Sequence, residues 1–143
     1  MKNYLIIAIL CLFTTVNFAQ EIIWEKDYPK ALRLAEQKNA LILIFFTAGG
    51  ESSIEENIKC NFLKSKNFKK SIRKSIIILN IDESTNSKNT NYNSRVISAY
   101  NPNKKFPSVK VILPRTRKST SLLTTFNDKD IQFYISEINS IKK

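Results

Sequence analysis

Two short apolar runs constrain this chain more than any other feature. Ala40 to Phe46 is continuously apolar and is followed by Thr47-Ala48-Gly49-Gly50, and Ile76 to Ile81 is broken only by Asn80 before Asp82. Runs of this length, bounded by turn residues and apolar at every position, fit strands buried on both faces. The segment between them carries helical spacing, and a strand–helix–strand unit demands a parallel pair. The expected fold class is therefore α/β, with a central mixed β-sheet flanked by helices on both faces.

The remaining elements fall around these two strands. Pro29 to Lys38 has helical spacing through Ala31, Leu32, Leu34 and Ala35, with Asp27 as N-cap and Asn39 as stop. A second helix is expected from Ser52. Ser52 and Glu55 have the spacing of a capping box, in which the hydroxyl accepts the Glu55 amide and the carboxylate reaches back to the Ser52 amide. Ile54, Ile58 and Phe62 would form its apolar face. Phe68 and Ile72 continue a basic amphipathic stretch to Lys74. Glu83 to Asn93 reads as a solvated loop, and Ser94 to Tyr100 as a short helix. Ser108 to Leu113 reads as a strand, Pro114 to Thr120 as a basic turn, and Ser121 to Phe126 as a strand pairing back in a hairpin. A last helix begins at Asn127 and carries Ile131, Tyr134, Ile135, Ile138 and Ile141 on one face.

The first residues do not follow this pattern. Met1-Lys2-Asn3-Tyr4 is basic, Leu5 to Val16 is apolar apart from Thr14 and Thr15, and Ala19 is a small residue suited to cleavage. This is the layout of a secretory signal peptide; the competing reading is a buried N-terminal strand. The run is shorter than the roughly 20 apolar residues a spanning helix needs. Cys11 follows Leu10, where a lipoprotein signal requires a small residue. The expected organisation is a signal peptide over 1–19 and one domain over 20–143, exported to the periplasm or secreted, with no transmembrane segment in the mature chain.

Composition narrows the chemistry. The 143 residues contain no histidine, which removes Ser-His and Cys-His nucleophile arrangements and the commonest metal ligand. The mature chain keeps one cysteine, Cys60, so no internal disulfide forms and a zinc site lacks its usual ligands. The loop from Glu83 lacks the pattern and glycine of a calcium site. No cofactor or metal is expected. The 23 Lys and Arg outweigh 12 Asp and Glu, a net charge of +11. In an exported protein this points away from nucleic acid, toward an anionic surface or acidic partner, or toward a merely solvated lysine-rich face.

The ordered elements also resemble a known family. Trp24, a helix, an apolar strand, Phe46-Thr47-Ala48-Gly49-Gly50-Glu51-Ser52-Ser53-Ile54-Glu55, Leu63 and Phe68, a strand ending at Asp82, and Phe106-Pro107-Ser108-Val109 are similar to the thioredoxin-like superfamily, in particular to its exported members. The resemblance spans nearly the whole mature chain. It implies a thioredoxin-like fold and a cis-proline at Pro107. It also sets the family's two redox cysteines on Ser52 and Glu55, and its tryptophan on Glu51. Redox exchange in the family needs a thiolate at the helix start and a second thiol to resolve the mixed disulfide. Ser52 supplies neither, so the motif is degenerate.

Two functions follow as expectations. One is a non-catalytic binding or accessory protein of the cell envelope, with Phe106, Pro107 and Ser108 beside a strand edge that takes up an envelope protein or extended peptide by strand addition. In it, Ser52 and Glu55 act as a structural cap or contact the partner. The alternative is a monothiol disulfide-exchange protein acting through Cys60. Helical spacing turns Cys60 away from the Ile54–Ile58–Phe62 face, and an unpaired exported cysteine is either a site of intermolecular pairing or inert.

Overall fold

The computed structural model describes residues 22–50, 52–84, 90–116 and 118–141. The expected signal peptide, Cys11 and Glu51 lie outside them. In the central strand β2 (Leu41–Thr47) every residue is buried, as a doubly covered strand requires. It pairs in parallel with β3 (Ile76–Asp82), in the register Leu41 opposite Ile76 through Thr47 opposite Asp82. On its other side β4 (Ser108–Ile112) runs antiparallel, with Phe46 opposite Ser108. A short strand β1 (Ile22–Glu25) adds in parallel to β3, so the sheet order is β1-β3-β2-β4. The sheet is mixed, as expected; the two apolar runs form its inner parallel pair, and its antiparallel pair is β2 with β4.

Alternation along the strands divides the core in two. Leu41, Leu43, Phe45, Ile76, Ile78, Val109 and Val111 face one side. There they meet Ile58, Phe62, Leu63, Phe68, Tyr134 and Ile138, from the segment after β2 and from the last helix, α5 (Asp128–Ser140). Ile42, Ile44, Phe46, Ile77, Leu79 and Ile81 face the other side. There they meet Ala31 and Ala35 of α1 (Tyr28–Lys38) and Val96 and Ile97 of α4 (Thr90–Tyr100). Each fully buried large apolar side chain contributes about 1.5–3 kcal/mol, so β2 is the energetic centre of the domain. The caps of α1 are those expected. Asp27 accepts from the Lys30 amide at 2.7 Å, and Asn39 closes the helix at a φ of 52°.

The structure corrects several local expectations. First, β1 was legible only as a segment around Trp24. It is four residues long, at an edge and only half-buried, and therefore carries no alternation. Second, the helix after β2 is not continuous. α2 (Ser53–Asn57) widens into a π-helical segment (Ile58–Leu63), and α3 (Lys66–Ser71) follows with its own cap, Ser65, whose hydroxyl accepts the Phe68 amide at 3.0 Å. The Lys64 amide reaches back five residues to the Lys59 carbonyl at 2.8 Å. The wider turn brings both Phe62 and Leu63 inward.

Third, Ile54 is 62% exposed and does not belong to the inward stripe; that stripe runs through Glu55, Ile58 and Phe62. Fourth, the residues after β4 pair back without forming a strand. Leu123 exchanges both backbone bonds with Val109 at 2.9 Å, and Ser119 bridges Ile112. Those two bridges are out of register by one residue, as at a bulge. Between them the Thr120 hydroxyl takes the Val111 amide at 2.9 Å in place of a carbonyl.

Candidate functional site

The ends of β2 and β3 and the start of β4 lie at one end of the sheet, since Thr47 is opposite Asp82 and Phe46 opposite Ser108. From β2 the chain must turn sharply to begin α2. Gly49 and Gly50 make that turn with φ values of 91° and 90°, a region that side chains resist. At Gly49 there is also no room. A Cβ there would lie 2.7 Å from both Asp82 Oδ1 and Ser84 Cβ, so backbone and β3 terminus touch directly. The Glu83 amide donates to the Thr47 carbonyl at 3.0 Å and fixes the same approach.

Ser52 then caps α2. Its backbone is extended, and its hydroxyl accepts the Glu55 amide at 3.5 Å, a long bond. The carboxyl of Glu55 does not reach back to the Ser52 amide, as a capping box would have it. It turns inward and accepts the Ala48 amide at 3.1 Å, with Glu55 only 5% exposed. The position that the sequence resemblance assigns to the family's second cysteine thus holds a buried carboxyl that ties helix to turn. Beside them lies an open hollow of about 460 Å³ lined by Gly50, Ser52, Ser53, Glu55, Glu56 and Lys59.

Cys60 is exposed and does not line that hollow. Its thiol donates to Glu56 Oε1 at 3.3 Å, and Lys59 sits 3.6 Å from the other oxygen. The Cys60 hydrogen bond, aided by Lys59 and Lys64, holds the Glu56 carboxyl below the usual carboxylate range. Among the described residues Cys60 is the only cysteine, and no cluster of His, Cys, Asp and Glu has the makings of a metal site.

The Phe106–Pro107 peptide bond is cis. Phe106 and Pro107 are half-buried, whereas Ser108 is fully buried and its hydroxyl accepts from Asn101 Nδ2 at 3.3 Å. Asn101 also donates to the Lys105 carbonyl and accepts the Lys105 amide, so one buried amide side chain braces the loop into β4. Outer-edge pairing of β4 starts at Val109, bonded to Leu123, and Phe106 to Ser108 lie beyond it.

A second hollow, of about 370 Å³, opens beside β3 between Asp82, Glu83, Asn93, Ser94, Ile97 and Lys104. Lys104 bridges Glu83 at 2.6 Å, and Asn93 donates to the Asp82 carbonyl at 3.1 Å. Sequence reasoning placed Asn93 in a solvated loop. Its burial was legible only from its spacing to Val96 and Ile97 in α4.

No protein-family model and no curated protein matches the sequence. Solved structures do match in shape. A DsbH oxidoreductase superposes with a TM-score of 0.57 at 16% identity, covering 91% of this chain and 94% of that one. The solution structure of a thioredoxin from Thermus thermophilus superposes with a TM-score of 0.56 at 10% identity, covering 82% of this chain and 88% of that one. At such identities the likeness is one of fold. The protein has a thioredoxin-like fold, and the resemblance drawn from its ordered sequence elements holds at that level.

Proposed function

We propose that this protein is an exported, non-catalytic binding or accessory protein of the cell envelope. It holds an extended peptide or partner protein where α2 begins and β4 starts. One observation supports this above all. The side chains at the two positions that the resemblance assigns to the redox cysteines are both engaged in local hydrogen bonds, Ser52 with the Glu55 amide and Glu55 with the Ala48 amide. A hydroxyl without a neighbouring base is no nucleophile at neutral pH. What remains is a shaped end of the sheet, with an exposed apolar side chain, Ile54, beside the hollow and an edge near Pro107 that strand addition would use.

The test is a photo-crosslinking residue placed at Ile54, at Phe106 and, as control, at the exposed Phe133. Cross-links to the same envelope protein from Ile54 and Phe106, persisting in reductant, support the proposal. Capture that vanishes in reductant and in Cys60→Ser overturns it. Export itself is tested by expressing the chain with its own N-terminus in a Gram-negative host. The protein should be recovered outside the cytoplasm, shortened by about 19–20 residues.

A second function keeps some support because the Cys60 thiol is exposed. In monothiol exchange its thiolate would attack a disulfide, form a mixed disulfide and expel one partner thiolate. A second thiol would then release the product. Reaction of Cys60 with an aromatic disulfide reagent faster than free glutathione would favour this function over binding.

A further inference from the structure

Several ion pairs among the described residues lie outside the stretch from the π-helical segment to β3. Lys30 pairs with Glu25 at 2.8 Å, Lys104 with Glu83 at 2.6 Å, and Arg115 with Glu36 at 3.0 Å. The stretch from the π-helical segment to β3 is different. Between Glu56 and Asp82 the sequence contains no acidic residue. Lys64, Lys66, Lys69, Lys70 and Arg73 are all exposed there, and none forms an ion pair with a described residue.

Their arrangement follows from the helix. At about 100° per residue, Lys66, Lys69 and Lys70 share one side of α3. Phe68 lies on the opposite side and Ile72 follows it inward, both buried in the core. The cations therefore project straight outward from a surface pinned down by its apolar residues. Lys64 rests its ammonium 5.7 Å from the ring centroid of the half-buried Trp24, in β1, and extends the patch to the sheet edge. The groove between α3 and α5 is lined by Asp128, which Lys129 follows in sequence.

We infer that this face, centred on Lys66, Lys69 and Lys70, docks the protein onto an anionic phospholipid surface. Three features favour lipid over a single acidic protein. The patch is exposed and centred on a helix. Its cations are mostly lysines, compact charges on flexible stems that suit diffuse charge, whereas bidentate recognition favours arginine. Its border holds an indole, a group that settles at membrane–water interfaces. A basic side chain near an anionic membrane improves partitioning roughly fivefold, so a cluster of this size suffices for reversible attachment. The inference does not depend on the peptide site proposed above.

Vesicle co-sedimentation tests it, with the full chain, vesicles of phosphatidylcholine alone, and vesicles containing about 30% phosphatidylglycerol. The readout is the ratio of partitioning onto anionic and neutral vesicles, because any contribution of the apolar run Leu5 to Val16 is common to both. That ratio should be well above one at about 50 mM salt and collapse by about 300 mM. The triple variant Lys66→Glu, Lys69→Glu, Lys70→Glu should lower it roughly a hundredfold. A matched control, Arg33→Glu, Lys38→Glu, Lys105→Glu, changes net charge equally on other surfaces and should retain most of it. Melting curves check that both variants fold. Three results would overturn the inference: a ratio near one for the unmodified protein, equal loss in both triple variants, or retention by soluble polyglutamate with no preference for anionic vesicles.

Discussion

Glu55 Oε1 accepts a hydrogen bond from the backbone amide of Ala48 at 3.1 Å, across the Gly49-Gly50 turn that separates them. The carboxyl thereby braces the start of α2 against the turn. If Glu55 is cut to Ala, the amide of the exposed Ala48 loses its side-chain partner and the buried Glu55 side chain leaves a void, at a cost of about 0.5–1.5 kcal/mol. Glu55→Gln keeps an acceptor and should cost less. The Ser52 bond is longer, at 3.5 Å, so Ser52→Ala should fall at the low end of the cap range, about 0.5 kcal/mol. Urea melts of the three variants check the order. Equal stability of Glu55→Ala and the unmodified protein would show that the brace carries no stability and return Glu55 to the role of a binding residue.

The two glycines of the turn should respond unequally. Both have φ near 90°, so either Gly→Ala change is strained by about 1–2 kcal/mol. Gly50 has nothing within 4 Å of an added Cβ and should show only that strain. Gly49 would drive its Cβ into Asp82 and Ser84 and should lose clearly more. Thermal melts of Gly49→Ala and Gly50→Ala settle the comparison, and equal losses would mean that the contact with the β3 terminus relaxes freely.

Tyr134 and Tyr28 make the fold sensitive to alkali. Burial holds the Tyr134 phenol well above its ordinary value, and its hydroxyl is bonded to Thr120 Oγ at 2.7 Å and the Val109 carbonyl at 3.1 Å. Burial, with Tyr100 adjacent, pushes Tyr28 up to about 12. Both folded values lie above that of the unfolded chain, near 10. The unfolded state therefore releases its protons first, and stability is full below about pH 10 and falls as pH rises toward about 12. Tyr28→Phe should flatten part of that decline. Tyr134→Phe should also cost about 1–2 kcal/mol at neutral pH, because the buried Thr120 hydroxyl and the Val109 carbonyl each lose a hydrogen bond. Denaturant melts between pH 8 and 11 check the sign; rising stability in that range would contradict it.

Much of the fold was legible because burial on two faces leaves a direct trace in sequence. Ala40–Phe46 and Ile76–Ile81 marked the two inner strands, Asp27 and Asn39 marked the limits of α1, and Asn127 marked the start of α5. β1 left no such trace, because an edge strand of half-buried residues has no period to read. The chain was expected to pair back on β4 as a strand over Ser121–Phe126; it pairs instead through single bridges at Ser119 and Leu123, and between them the Thr120 side chain replaces a backbone acceptor. In the site, the Ser52 cap was readable from its spacing to Glu55. The direction of the Glu55 carboxyl was not. The inward stripe passes through residue 55, and the hydropathy of Ile54 pointed one position away from it. A strongly apolar residue left outside and a carboxyl taken inside invert the usual pattern at the end of the sheet where the peptide site is proposed.

The central proposal, a thioredoxin-like fold that carries out no dithiol exchange, is tested most directly by following insulin reduction by dithiothreitol with purified protein and with Cys60→Ser. Precipitation of insulin should proceed at the background rate in both samples, since neither Ser52 nor Glu55 supplies a thiol and Cys60 lies outside the hollow at the start of α2. Acceleration above background that survives Cys60→Ser would contradict the account.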